Sequence, residues 1–471
     1  MDFTRLTIAQ VRKKLDRKEI SSVELTKAYL ERIGKLDRKL NAYITVTEKE
    51  ALHTAKKADE KIAQGDASPL LGIPFSAKDM YLTKGIRTTA GSKVLENYIP
   101  QYSATVLEKM EHAGAVLVGK NNQDAWAHGA SGEHSDFGPT KNPWNLAYIP
   151  GGSSSGPAVS VAADLASFAI ATDTGGSIRQ PASLCGITGL KPTYGRVSRY
   201  GVVAMASSFD TMGHFTRSVE DSALILSVTA GYDEHDATSS EKPVPHYASE
   251  LKKNIKGLKI GMPKEYFTSG LDSNVSKTVK TAMHKLEELG AEIIPISLPH
   301  TQYGVGVYYI LQTAEVSSNL ARYDGIRYGN NRETFGDEAK RRIMLGTFVL
   351  AHGYYDAYYK RAMKIRTLIR QDFDIAFRKV DAIACPVSPT PAWKIGEKVS
   401  DPLAMYLADI FTVTANIAGI PGLAIPAGFA MGMPVGMQLL GPQFSEDILF
   451  RIGHQYQLTT DWHTRKPDLP V

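Results

Sequence analysis

The chain has 471 residues, 43% hydrophobic and 22% charged, which is an ordinary balance for a globular protein with a large core and excludes a disordered or fibrous class. A formal charge of +5 without any block of Lys and Arg permits contact with nucleic acid but does not indicate it. The two cysteines, Cys185 and Cys385, lie far apart in apolar settings, so they supply neither a disulfide framework nor a metal-ligand spacing and fit a reducing cytoplasm.

At the start, MDFTRLTIAQV lacks a basic region followed by an apolar run, and no signal peptide is expected. Thr7 with Gln10 and Ser21 with Glu24 have capping-box spacing, and Val23, Leu25, Tyr29, Leu30 and Ile33 mark the apolar face of a second helix. LLGIPFSAKD then reads as a buried strand with Lys78 near its end. ATVLEKMEHAG reads as a helix and AVLVGK as a further strand. Such alternation argues an α/β class. From Gly151 the sequence GGSSSGPAVSVAADLASFAIATDTGGS predicts a small-residue helix over about 158–165, with Pro157 at its first position, and a strand over 168–172.

A polar stretch over 231–247 marks a surface loop or subdomain junction. GLKIGMP, a helix over about 274–289 and AEIIPISLP give another β-α-β passage, and residues 305–380 are helical and rich in Tyr and Arg. No charged residue occurs between Asp409 and Glu446, yet Pro421, Pro426, Pro434 and Pro442 break that stretch into pieces too short to span a membrane. GLAIPAGF and PVGMQLLG therefore read as strands, followed by a helix in SEDILFRIGHQYQ. The expected architecture is one α/β domain with a mixed sheet covered by helices on both faces. Within it, 1–65 forms N-terminal helices, 66–230 a catalytic core, 231–400 an embellishment and 401–471 C-terminal core strands and a helix.

Three places offer hydrolytic groups: Lys78, the serines of GGSSSG, and Ser177 in ATDTGGSIRQPA. Gly175 and Gly176 free the backbone to expose a row of N–H groups around Ser177, so a nucleophile and an oxyanion hole can share one loop. A serine hydroxyl attacks only when a base takes its proton, and lysine is that base only when neutral. Desolvation among Leu71, Ile73, Pro74 and Phe75 pushes Lys78 that way. Taken singly, Lys78 also reads as a strand-end lysine reaching water, and GGSSSG as a plain helix start or an anion-binding loop.

Together these segments resemble the amidase signature family in order and spacing. The resemblance implies that Ser177 is the nucleophile, Ser153 the bridging serine on a cis peptide and Lys78 the base, with the backbone of Thr174, Gly175, Gly176 and Ser177 as oxyanion hole. The family usually continues GGSSGGS, whereas Ser155 and Pro157 stand here. GLKPTYGRVSRYGVVAMASSFD, AEVSSNLARYDGIRYG, RRIMLGTFVLAHGYYDAYYKRAMKIRTLI and DPLAMYLADIFTVTANIAGIPG are similar to one branch of that family, the A subunits of glutamyl-tRNA(Gln) and aspartyl-tRNA(Asn) amidotransferases. That resemblance implies a glutaminase acting in a cytoplasmic heterotrimer, with glutamine held by Arg342, Asp409 and a tyrosine, Tyr309 in preference to Tyr308. It also implies no cofactor in this chain. ATP and Mg belong to a B subunit that meets the mischarged tRNA, and a small C subunit braces the pair. Between IRYG and DEAKRRIM this chain has only NNRETFG, where that branch usually carries a longer insertion. Two other readings remain at this point: a stand-alone amidase for another small amide, and a catalytically silent scaffold or anion-binding module.

Overall fold

In the computed structural model, which describes residues 3–326 and 329–469, strands and helices alternate around one sheet. Residues 327 and 328, within the IRYG segment, lie outside the described residues. The strands are β1 (Tyr43–Val46), β2 (Pro74–Lys78), β3 (Val116–Asn121), β4 (Phe168–Asp173), β5 (Thr188–Lys191), β6 (Thr211–Thr216), β7 (Lys259–Pro263), β8 (Glu292–Ile296), β9 (Ala382–Pro386), β10 (Gly422–Ala430) and β11 (Met433–Leu440). They form one 11-stranded sheet in the order β1-β3-β2-β4-β6-β5-β10-β11-β9-β7-β8. β2 runs parallel to both β3 and β4, and β7 parallel to β8 and β9, while the remaining pairs are antiparallel. The sheet is therefore mixed and the class α/β, as the sequence predicts.

Local chemistry explains the elements that carry the site. Both N-terminal capping boxes form: the Thr7 hydroxyl accepts from Gln10 N and the Ser21 hydroxyl from Glu24 N, with the reciprocal bonds in place. β2 and β4 are buried at every position because helices cover both faces, so neither shows the in-and-out alternation of a strand with one wet face. Phe75 of β2 stacks on Phe168 of β4 with centroids 5.2 Å apart, which fixes the register of the two strands. The small-residue helix spans Ser155–Ala162 and starts three residues before the expected position. Ala158 N bonds to Ser154 O, so the helical turn already includes Ser155, and Pro157 sits inside the first turn, where no N–H is needed. No helix among the described residues is long and apolar enough to cross a membrane.

Candidate active site

The carboxyl ends of two neighbouring parallel strands create the site. Lys78 is the last residue of β2, and Asp173 ends β4, from which Thr174–Ser177 turn into the Arg179–Cys185 helix. Such a crevice beyond parallel strand ends is where open α/β sheets bind ligands. Lys78 Nζ lies 2.8 Å from Ser153 Oγ and 2.9 Å from Thr172 Oγ1, donating to both, and the side chain is fully buried. Burial pushes its pKa down to about 7, against the pull of Asp124, Asp173 and Asp210. The solvent-reaching lysine is thus ruled out. A neutral Lys78 turns the 2.8 Å contact round and accepts the Ser153 proton.

Ser153 follows a cis peptide after Gly152, and Ser154 N donates to Ser177 O at 3.3 Å, so the two serine segments are bonded to each other. Ser153 is fully buried, whereas Ser177 retains 7% exposure.

Asp173 organises the turn. Its carboxylate accepts from Gly176 N (2.8 Å), Ile178 N (3.2 Å), Arg179 Nε (3.1 Å) and Asn416 Nδ2 (2.9 Å). Burial would raise its pKa, but the Arg179 guanidinium together with Lys191 and the Asn416 hydrogen bond outweighs burial and holds it down at about 2. One expectation changes here. The Gly176 N–H is aimed at Asp173, so it is withdrawn from the four expected oxyanion donors. The N–H groups of Thr174, Gly175 and Ser177 have no acceptor among the described residues and stay available. Thr174 is held from the far side, its hydroxyl donating to Asp210 Oδ1 at 2.7 Å. Burial pushes Asp210 up to about 6.

Arg342, Tyr309 and Asp409 come together, though they lie on three separate elements. Arg342 sits on the Asp337–Leu350 helix, 2% exposed, with its guanidinium carbon 5.3 Å from the Tyr309 ring centre and 5.8 Å from that of Tyr406. Its Nε donates to Glu338 Oε1 at 2.8 Å, leaving the far edge of the guanidinium without a partner among the described residues. Although burial works against its charge, Glu338 raises its pKa above the usual arginine value. Tyr309 stacks on Tyr406 at 3.9 Å and donates to Asp409 Oδ2 at 3.4 Å. Burial pushes Asp409 up to about 8, with Arg342 opposing it.

This cluster adjoins the serine loop. The Thr412 hydroxyl donates to Gly175 O (2.6 Å) and to Asp409 O (3.0 Å). Tyr308, the neighbour of Tyr309, presses its ring and hydroxyl on Gly175, where an added Cβ would approach to 2.6 Å. Both tyrosines therefore border the site: Tyr308 against the oxyanion loop and Tyr309 within the charged cluster. Sequence reading missed Asp124, Thr172, Arg179, Asp210, Glu338, Tyr406 and Asn416. Thr172, Asp210, Tyr406 and Asn416 have partners far away in sequence; Glu338 precedes Arg342 by four residues and Arg179 follows Asp173 by six, spacings that are common wherever charged residues occur. Among the described residues no group of His, Cys, Asp and Glu is arranged to hold a metal ion.

A buried lysine bonded to a buried serine, whose segment is bonded in turn to the serine of the strand-end turn of this mixed sheet, is an arrangement suited to serine-dependent amide hydrolysis. The amidase family profile matches residues 24–450, and the chain belongs to the amidase family. The A subunit of glutamyl-tRNA(Gln) amidotransferase from Geobacter metallireducens is 56% identical over 99% of both chains. The Coxiella burnetii protein of the same name is 52% identical over 98% of this chain and 99% of its own. Among solved structures, that of the Thermotoga maritima protein, again the A subunit of a glutamyl-tRNA(Gln) amidotransferase, is 42% identical, with a TM-score of 0.80 over 96% of this chain and 94% of that one.

Proposed function

We propose that this chain is the glutamine-hydrolysing A subunit of a tRNA-dependent amidotransferase. One observation carries the reading: the Thr412 hydroxyl bridges the backbone carbonyls of Gly175 and Asp409, so that the Arg342, Tyr309 and Asp409 cluster adjoins the turn that carries Ser177. The free edge of Arg342 suits a bidentate bond to an α-carboxylate, and Asp409 suits an α-ammonium. Glutamine carries both groups beside a side-chain amide. The full-length likeness to the A subunits of glutamyl-tRNA(Gln) amidotransferases from two bacteria supports this reading.

In this mechanism the Ser177 proton passes to Ser153 as the Ser153 proton passes to Lys78, and Ser177 Oγ attacks the amide carbon. The N–H groups of Thr174, Gly175 and Ser177 receive the oxyanion. Collapse breaks the C–N bond, the proton returns from Lys78 through Ser153 to the nitrogen, and ammonia leaves. Water, deprotonated by the same relay, then cleaves the acyl-enzyme to glutamate. The reading assigns ammonia transfer to a B subunit, where ATP and Mg activate the mischarged tRNA, and a bracing role to a C subunit. This sequence contains no P-loop pattern.

The test compares glutamine with a simple amide that lacks both α-groups. Arg342→Ala or Asp409→Ala leaves a charge of glutamine unpaired, so kcat/KM for glutamine falls by about 2–4 kcal/mol in transition-state terms while simple-amide hydrolysis holds near its low starting value. An equal fall for both substrates would make the two residues structural and leave a general amidase. Co-purification with native partners, followed by glutaminase assay with and without them, tests the assembly.

A further inference from the structure

The relay lysine grips Ser153 by its hydroxyl, and a second buried charged residue grips the same serine by its backbone. Asp124, fully buried in the loop after β3, donates its N–H to the Ser153 carbonyl oxygen at 3.2 Å. Its carboxylate lies directly on the Cα of Gly152, so close that a Cβ at that position would overlap Oδ2. The two carboxylate oxygens each take a loop N–H: Oδ2 from Gly132 at 3.0 Å and Oδ1 from His134 at 2.9 Å. The 124–134 loop is thereby folded round the carboxylate, and a Cβ on Gly129 would likewise approach Asp124 to 2.5 Å.

From this geometry we infer that Asp124 is a positioning residue that holds Ser153 at the right height above Lys78 and sets the charge balance under which Lys78 accepts a proton. The inference rests on the relay proposed above, but it concerns a residue that touches neither substrate nor the reacting atoms. Two kinds of observation support it. Backbone and carboxylate of one residue fix both halves of the Gly152–Ser153 unit, while Lys78 fixes the hydroxyl. Moreover, Asp124 from this loop, Asp173 from the end of β4 and Asp210 from the segment before β6 are the charged groups that favour the ammonium form of Lys78, Asp124 most of all. The Asp124 carboxyl itself is driven up by burial, which is opposed by His134, by the two N–H donors and by Lys78. The neighbouring Asp79–Lys120 pair, at 3.0 Å, is satisfied by itself and does not enter this balance.

Asp124→Asn keeps the shape but sets an NH2 against one loop N–H and removes the charge. Its measurement is glutamine hydrolysis, alone and in a Ser153→Ala background, over a range of pH. On the inference, Asp124→Asn lowers kcat in the otherwise native chain by on the order of 100-fold, the scale of a small misplacement. It lowers kcat by less than about threefold once Ser153 is already Ala, because the group it positions is gone. The acid limb of kcat/KM also moves to lower pH, since Lys78 loses its strongest counter-charge and is neutral further down. A loss of equal size in both backgrounds, with the limb unmoved, would reduce Asp124 to a structural residue. If Ser153→Ala alone costs nothing, the relay fails and this inference with it. Should Asp124→Asn not fold, Asp124→Glu, which keeps the charge but lengthens the side chain that lies on Gly152, makes the same comparison: kcat falls in the otherwise native chain and by less than about threefold in the Ser153→Ala background. A loss of equal size in both backgrounds would overturn the inference.

Discussion

Lys78 must be both buried and useful, and those demands meet only in its neutral form. An ammonium with no exposure to water carries a desolvation cost that Asp124, Asp173 and Asp210 offset only in part, so its pKa falls to about 7. The sign follows directly. The base form is unprotonated, so kcat/KM is at its plateau above pH 7 and falls about tenfold per pH unit below it, as protonation removes the base. A pH–rate profile with glutamine checks this, and a flat profile down to pH 5 would remove Lys78 from the chemistry. Lys78→Arg is expected to be nearly as inactive as Lys78→Ala, because a guanidinium keeps its proton at every accessible pH. The burial of this residue was legible in the sequence. A lysine closing the apolar run LLGIPFSAK has nowhere wet to go once both strand faces are covered. The residues that tune it were not, since Asp124 and Asp210 reach Lys78 only through the sheet.

At the scale of an element, the turn between β4 and the Arg179–Cys185 helix carries three N–H groups without an acceptor among the described residues, and it is held by the groups around it. Asp173, Thr412 and Asn416 bind its backbone, and Tyr308 closes over Gly175. Gly175→Ala tests how much that closure matters. The new Cβ lies 2.6 Å from the Tyr308 hydroxyl, and the ring, buried against Phe209 at 5.7 Å, has little room to retreat. The strain of such overpacking is about 1–3 kcal/mol. Much of it is expected in the loop, so kcat drops at least tenfold while the melting temperature moves by only a few degrees. A combined Gly175→Ala, Tyr308→Leu chain, which removes both the hydroxyl and the ring edge that the new Cβ meets, regains part of the rate, and no regain would place the fault elsewhere. The sequence made this element easy to find, because Gly-Gly before a serine after an apolar run has few other uses. It could not show which N–H groups remain free. Gly176 N is bound by Asp173 within the same motif, a detail set by the turn's dihedral angles and not by residue type. The helix start at Ser155 was likewise displaced, since serine is compatible with both a cap and a first turn.

Over the whole molecule, the two ends of the described chain are tied to the middle by one carboxylate. Asp164, 1% exposed, lies in a turn between the Ser155–Ala162 helix and β4, and no feature of the sequence around it signals a structural role. Four cations converge on it: Arg217 at 2.8 Å, Lys466 at 2.5 Å, Arg5 at 3.6 Å and Arg32 at 4.0 Å. Arg217 extends the tie by donating to the carbonyl oxygens of Thr4 and Leu6. Pairs that link residues 5, 32, 164, 217 and 466 leave no trace in local periodicity, which is why the layers of this fold can be read along the chain but the fastening of its ends cannot. Arg5 is half exposed and contributes little, whereas Arg217 is nearly as buried as Asp164. Asp164→Asn takes the ion-pair partner from the buried Arg217 charge, at a cost of about 3–5 kcal/mol. Thermal or urea unfolding should therefore shift to clearly lower temperature or denaturant concentration. At temperatures where the variant stays folded, kcat/KM for glutamine should match the parent, because no atom of this cluster touches the relay. Arg217→Met in the same chain should recover part of the lost stability by removing the orphaned cation. A variant that melts with the parent would show that water satisfies these charges as well as Asp164 does. One that melts normally but loses activity would instead join the cluster to the catalytic turn along β4.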